Sequence, residues 1–352
     1  MEIIFLGRGE FRDHDLERFG KLYFEKKKIN CLFLNIDKLS ILNIKKIINK
    51  RICEDCKIIL LNQFYSLRLL IILTIIKLRH NVKLALNFTD PHVAYFIDNN
   101  IKIKNYSLKL IIKKLFIRIY ILFNIFFTKF IYIDYIITSG KLSLKLRNQF
   151  SFSKNLKIIS TVHHDYEYYL SYKKNINSII EKDTICYLDQ PLILKKFQNS
   201  FAKKLSLQLN LLSKKHKIYF CCHPSSNLIK NSYFLNLTKD NHNIIICKKE
   251  TTKYIFKSEY VLTHHSAATN IAILDYKKII FLYSNEISKN KNDLLIIKKF
   301  SDELGAPIFN IENLITIKNY EINRDLYKKF VENYIYENKI NHPIWEYVTS
   351  HL

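Results

Sequence analysis

The chain has 352 residues, 48% hydrophobic and 14% aromatic, which excludes a disordered protein and is enough for two cores of ordinary size. Its formal charge is +25, from 56 Lys and Arg against 31 Asp and Glu. No zinc-finger spacing, RNP-like aromatic motif or basic tail accompanies that charge, so no nucleic-acid partner is expected.

Abundant Ile, Lys, Asn, Tyr and Phe are what codon bias in an AT-rich genome produces, and that is one origin of the charge. Attraction to an anionic lipid surface or an anionic substrate is the other. Gly and Pro number five each, so loops are short. The seven cysteines are odd in number and sit mostly inside apolar runs, as reduced, buried thiols of a cytosolic protein do. Cys53-Glu-Asp-Cys56 has no second pair to make it a metal or redox motif. Residues 1–7 read as a strand rather than a signal peptide. No uncharged apolar run approaches the roughly eighteen residues of a spanning helix.

In chain order, residues 2–6 read as a first strand, followed by a polar loop over 7–15 and a helix over 21–28. Strands follow at 30–35, 57–61, 82–87 and 134–138, with helices over 41–50 and 67–78 between them. Residues 108–129 form a basic amphipathic stretch. Both an interfacial membrane helix and a packed helix with snorkelling lysines fit it. The polar, tyrosine-rich residues 150–180 read as an interdomain linker. A second series then opens, with a strand at 184–188, a helix over 193–214 and strands at 217–222, 243–247, 260–262 and 278–282. A short helix over 267–274 lies between the last two, and one or two helices close the chain over 325–352. Strand–helix alternation of this kind predicts an α/β chain of two Rossmann-like halves, each with a parallel sheet. The expected domains are 1–165 and 180–322, with C-terminal helices over 323–352.

Two strand ends concentrate the chemistry: Tyr219-Phe-Cys-Cys-His-Pro-Ser-Ser-Asn227 and Tyr260-Val-Leu-Thr-His-His-Ser-Ala-Ala-Thr-Asn270. Parallel strands that break into small polar residues at a helix start make anion sites at their carboxyl ends. His223, Pro224 and Ser225 in the first stretch and Thr263, His265 and Ser266 in the second are therefore candidate phosphate ligands. Asp189-Gln190-Pro191 reads either as a plain turn or as a further loop of the same site. In His163-His164-Asp165 the adjacent histidines of an extended segment point to opposite faces, which argues against a metal site. Asp13-His14-Asp15 has an Asp-x-Asp spacing in the first polar loop.

A His-Pro after one strand and a Ser cluster opening a helix about forty residues later resemble the GT-B glycosyltransferases of bacterial surface polysaccharides. In pattern they are similar to sialyltransferases and ulosonic-acid transferases. The resemblance spans roughly residues 184–286 and is weak before them. It implies two Rossmann-like domains facing across a cleft, the first binding the acceptor and the second a nucleotide sugar. His223, with Pro224 and Ser225, and Ser266, with Thr263 or His265, would hold the phosphate of a CMP-activated sialic or other nonulosonic acid, or of Kdo. Glu250 would bind the ribose. Asp90 would deprotonate the acceptor hydroxyl, with Asp13 and Asp15 in the acceptor loop. The chain departs from the family pattern at Ala267, where a second serine is usual, and at Pro91, where glycine is usual.

The implied partners are a nucleotide sugar, a glycan or lipid-linked glycan acceptor, and the anionic inner face of a bacterial cytoplasmic membrane. No metal or other cofactor is expected, since a cationic His and main-chain N–H groups can stabilise a departing phosphate. Teichoic-acid polymerases pair the same motifs, so polyol-phosphate transfer from a CDP-polyol is an alternative reading. A non-catalytic basic binding protein is another.

Overall fold

The computed structural model describes residues 2–7, 11, 16, 17, 19–35, 43, 46, 56–61, 73, 82–89, 133–143, 152–175, 180–190, 198–223, 230–337 and 343–352. These fall into two compact units. One comprises Met1–Pro91, Asp98–His164 and Tyr336–Leu352, and the other His92–Ile97 with Asp165–Ile335.

The first unit is built on six parallel strands. They are β1 (Glu2–Gly7), β2 (Asn30–Asn35), β3 (Cys56–Leu61), β4 (Lys83–Phe88), β5 (Ile133–Ser139) and β6 (Phe152–Thr161), in the order β2-β1-β3-β4-β5-β6. Central parallel strands are covered on both faces, and here they read as unbroken apolar runs. Ile3, Ile4, Phe5 and Leu6 are all buried, as are Ile58, Ile59 and Leu60 of β3. Helix α1 (Lys21–Lys26) follows β1, started by Gly20 in a left-handed conformation (φ 76°). The last helix of the chain, Ile344–His351, returns to this unit. Its Trp345 packs edge-on against Phe5 at 5.4 Å and lies 5.5 Å from Phe24.

The second unit carries β7 (Thr184–Leu188), β8 (Lys217–Cys221), β9 (Ile244–Cys247), β10 (Tyr260–Thr263), β11 (Lys278–Tyr283) and β12 (Ile308–Asn310), again all parallel. Their order is β12-β11-β10-β7-β8-β9. Counted from β7 this is 3-2-1-4-5-6 read from the other edge, the strand order of a complete doubly wound, Rossmann-like sheet. Its helices are α2 (His164–Asn175), α3 (Gln198–Ser213), α4 (Ser232–Asp240), α5 (Thr251–Lys257), α6 (Thr269–Leu274), α7 (Asn285–Ser288), α8 (Lys291–Leu304) and α9 (Arg324–Phe330). A single π-helical turn, Val331–Ile335, extends α9. The core is aliphatic and aromatic, with Ile185, Phe220, Val261 and Phe281 fully buried on four adjacent strands. Cys186, Cys221 and Cys247 lie buried across β7, β8 and β9 as free thiols.

The α/β class and the two parallel, Rossmann-like sheets agree with the pattern read from the sequence. The 150–180 stretch differs. The chain does pass from the first unit to the second within it, at His164 and Asp165, but as an edge strand and a twelve-residue helix rather than a loop. An edge strand tolerates exposed polar residues, and β6 mixes exposed Asn155 and Lys157 with the buried Ile159. The helix that follows buries tyrosines, Tyr166 and Tyr169, in place of aliphatic residues. The expected helices over 41–50, 67–78 and 108–129 lie outside the described residues, apart from Asn43, Lys46 and Leu73, each helical.

Candidate functional site

The strand order of the second sheet reverses at β7, and ligands of such sheets bind outside the carboxyl ends of the strands at the reversal. There β7 runs into Asp189 and Gln190, β8 into Cys222 and His223, and β10 into His264, His265 and Ser266. Side chains tie the three ends together. The buried Asp189 carboxylate accepts from the main-chain N–H of His223 at 3.4 Å. The Gln190 side-chain carbonyl accepts from the main-chain N–H of His265 at 2.8 Å. The two loops singled out from the sequence are thus linked through a third, the one after β7.

His264 and His265, in the bend after β10, face different surroundings. His264 is buried and serves the fold. Its Nδ1–H donates to the Leu282 carbonyl at 2.6 Å, and its Nε2 accepts from the Tyr187 hydroxyl at 3.0 Å. That network assigns the neutral tautomer. Burial pushes the His264 pKa down to about 4, with the Leu282 hydrogen bond opposing it. Burial, with Asp189 nearby, also holds the Tyr187 phenol well above its usual value, so it remains a donor.

His265 is part-exposed, and its Nε2 lies 3.6 Å from Asp293 Oδ1 near the start of α8. Asp293 Oδ2 accepts from the side-chain amide of Asn290, the N-cap residue of α8, at 2.5 Å. Burial pushes the Asp293 carboxyl upward and that amide pulls it back. Nothing in the local sequence marks Asp293, because its contact with His265 spans twenty-eight positions and depends on the return of β11.

Ser266 and Thr263 shape the loop. The main-chain N–H of Ser266 donates to Thr263 Oγ1 at 3.4 Å, and Ser266 Oγ accepts from the Ala268 N–H at 3.3 Å. Thr263 is fully buried and its hydroxyl lies 3.5 Å from that of Thr269. The helix begins at Thr269, two residues later than the sequence pattern places it, after a turn over 266–268. Its Asn270 donates to Asp165 Oδ2 at 3.0 Å.

Glu250 lies apart from this group. It is exposed, has φ 61°, precedes α5 as its N-cap residue and pairs with Lys253 at 3.1 Å. It follows β9, the edge strand, three strand positions from β10. At roughly 4.8 Å per strand that is on the order of 14 Å across the sheet. Pro224, Ser225 and Pro191 lie outside the described residues, as do Asp90, Asp13, Asp15 and Cys53.

Beside Asp90 in sequence, Thr89 follows β4, and its hydroxyl lies 2.9 Å from His164 Nε2, both side chains buried. The His164 ring also stacks near Trp345 at 6.2 Å. His164 and Asp165 therefore each have a structural partner. Among the described residues no group of three His, Cys, Asp or Glu side chains is placed to hold a metal ion. Among the same residues no helix is long and apolar enough to cross a membrane.

No protein-family model and no curated protein sequence matches the chain. Solved structures match over most of its length. A UDP-GlcNAc 2-epimerase from Methanocaldococcus jannaschii, in complex with UDP-GlcNAc and UDP, is 14% identical over 94% of this chain and 98% of its own, with a TM-score of 0.49. The wall teichoic acid polymerase TagF is 12% identical over 88% of this chain and 76% of its own, with a TM-score of 0.45. MurG from Acinetobacter baumannii is 9% identical over 94% and 90%, with a TM-score of 0.43.

Proposed function

We propose that this chain is a GT-B glycosyltransferase whose second unit binds a nucleotide sugar at the carboxyl ends of β7, β8 and β10. One observation carries the reading. At the point where the strand order reverses, Asp189 and Gln190 hold the His223 and His265 main chain, so that three polar strand ends form one group. Such a group suits an anionic ligand, and a cationic imidazole there stabilises the phosphate that leaves as the glycosidic bond breaks. His223 and Ser266 are the residues assigned to that phosphate. The donor class we propose is a CMP-activated nonulosonic acid or Kdo, and the acceptor is a bacterial surface glycan or its lipid-linked precursor.

In this reading the first unit takes the acceptor, and Asp90 acts as general base on its hydroxyl. A positioned carboxylate contributes roughly 10²–10⁴-fold to such a step. Direct attack of that hydroxyl from the face opposite the departing CMP inverts the anomeric centre. The site would lie on the cytoplasmic side of the membrane, where nucleotide sugars are made, with the basic surface drawing the protein to anionic lipid.

A thermal-shift screen against CMP, CDP, UMP, UDP and GDP, repeated with His223→Ala, tests this. A ligand that binds only the folded state raises Tm by an amount that grows with the logarithm of its concentration over Kd. CMP is expected to stabilise the wild type and to do little for the variant. Equal shifts in both proteins, or none with CMP, would remove the CMP-donor reading. Turnover of a CDP-polyol but not of a CMP-sugar would move the assignment to polyol-phosphate transfer.

A further inference from the structure

His265 is held from several directions at once. Gln190, after β7, fixes its main chain at 2.8 Å. His264, next to it, is locked to β7 by Tyr187 and to β11 by Leu282. Asp293, from α8, stands 3.6 Å from its Nε2, and Asp293 is itself held by Asn290 at 2.5 Å. Both members of the His265–Asp293 pair are largely shielded, with side chains 12% and 16% exposed. Asp293 from α8 stands against the ring, Gln190 after β7 holds the main chain, and the neutral His264 is its neighbour in the same loop. A carboxylate behind an imidazole, itself anchored by a further group, fixes the ring's orientation and balances the charge it carries when it faces an anion.

We propose that Asp293 is a positioning residue of the donor site, orienting His265 so that its imidazole binds the phosphate of a nucleoside monophosphate leaving group. This rests on the proposed donor site, and it adds a second cationic ligand beside His223. The carboxylate acts from behind the ring and does not touch the phosphate. Ser266, already assigned to the same phosphate, also shapes the loop through its bond to the Ala268 N–H.

The test is a double-mutant cycle on CMP affinity, measured by calorimetry with the full-length wild type, Asp293→Asn, His265→Gln and the doubly substituted protein. Charge-assisted contacts of this kind correspond to roughly a tenfold change in affinity. Asp293→Asn and His265→Gln should each weaken CMP by about that factor, and the double variant no more than the weaker single one. Asp293→Glu, which keeps the charge, should recover part of the loss, and Tm should report all four as folded. Should Asp293→Asn fail to fold, Asp293→Ser, alone and with His265→Gln, takes its place in the cycle.

CMP binding by Asp293→Asn equal to wild type, or losses that simply multiply in the double variant, would overturn the positioning role while leaving the donor site intact. A wild type that binds no nucleoside phosphate would overturn both. A wild type that binds CMP and loses it with His223→Ala but not with His265→Gln would overturn only this inference.

Discussion

Two adjacent histidines divide the work at the end of β10, and only one of them meets a charged partner. His264 is a buried, neutral residue with a partner on each nitrogen. In the unfolded chain it takes up a proton near pH 6.5, whereas the folded protein resists until about pH 4. Between those values the unfolded state binds more protons, so stability rises with pH across the window. The contribution is complete above pH 6.5 and is lost as pH falls toward 4. Over a shift of this size it amounts to about 3 kcal/mol. Urea unfolding at pH 7 and pH 5 should show the wild type losing more stability on acidification than His264→Gln, by about 2 kcal/mol. Parallel losses in the two proteins would mean that His264 is not the group responsible. That the residues of this cluster are polar was legible in the sequence. Which imidazole points into the core depends on the partners that β7 and β11 bring, and those lie far away in the chain.

The elements themselves were easier to read than their contacts. β2 and β7 occupy the residues expected of them, because each is an apolar run stopped by turn residues, buried throughout in β7 and half-exposed at the sheet edge in β2. α4, α5, α8 and β12 were not read from the sequence; α5 and β12 are short, whereas α8 does carry Ile296, Ile297, Phe300 and Leu304 at helical spacing. Gln208 shows what pattern alone cannot reveal. From α3 its amide donates to the carbonyls of Ile311 at 3.1 Å and Asn313 at 2.9 Å, and its oxygen accepts from the Ile315 N–H at 3.1 Å. It therefore pins the segment after β12. Gln208→Leu leaves three main-chain groups without this partner and should cost about 2–4 kcal/mol, measured by urea unfolding. A loss under about 0.5 kcal/mol would show that water replaces the amide.

In the first unit the closing helix can be probed in the same way. A Cβ on Gly20 would stand 2.4 Å from Cδ1 of Trp345, and the left-handed backbone there already disfavours any side chain. Gly20→Ala should destabilise by about 2 kcal/mol or more. Trp345 is the only tryptophan, so its emission reports this region alone, and a red shift at unchanged ellipticity is the expected sign. Unaltered emission and stability would contradict that packing.

For the molecule as a whole, the +25 charge separates the rival readings by their salt dependence. A protein that neutralises six to ten nucleic-acid phosphates loses about 10³–10⁵ in affinity between 50 and 200 mM salt. A site for one nucleotide phosphate should lose less than about tenfold over that range. The sequence pointed to two α/β halves and to a donor site in the second, and the second sheet has the strand order such a site needs. The acceptor side rested on Asp90, Asp13 and Asp15, which lie outside the described residues.

The central claim is that a nucleoside phosphate is held at the carboxyl ends of β7, β8 and β10. Hydrogen exchange followed by mass spectrometry, with and without CMP, reads that location directly. Peptides covering residues 189–190, 222–226 and 263–270 should slow in exchange when CMP is bound, and should stop responding in His223→Ala. Protection confined to the first unit, or none at a CMP concentration that raises Tm, would contradict it.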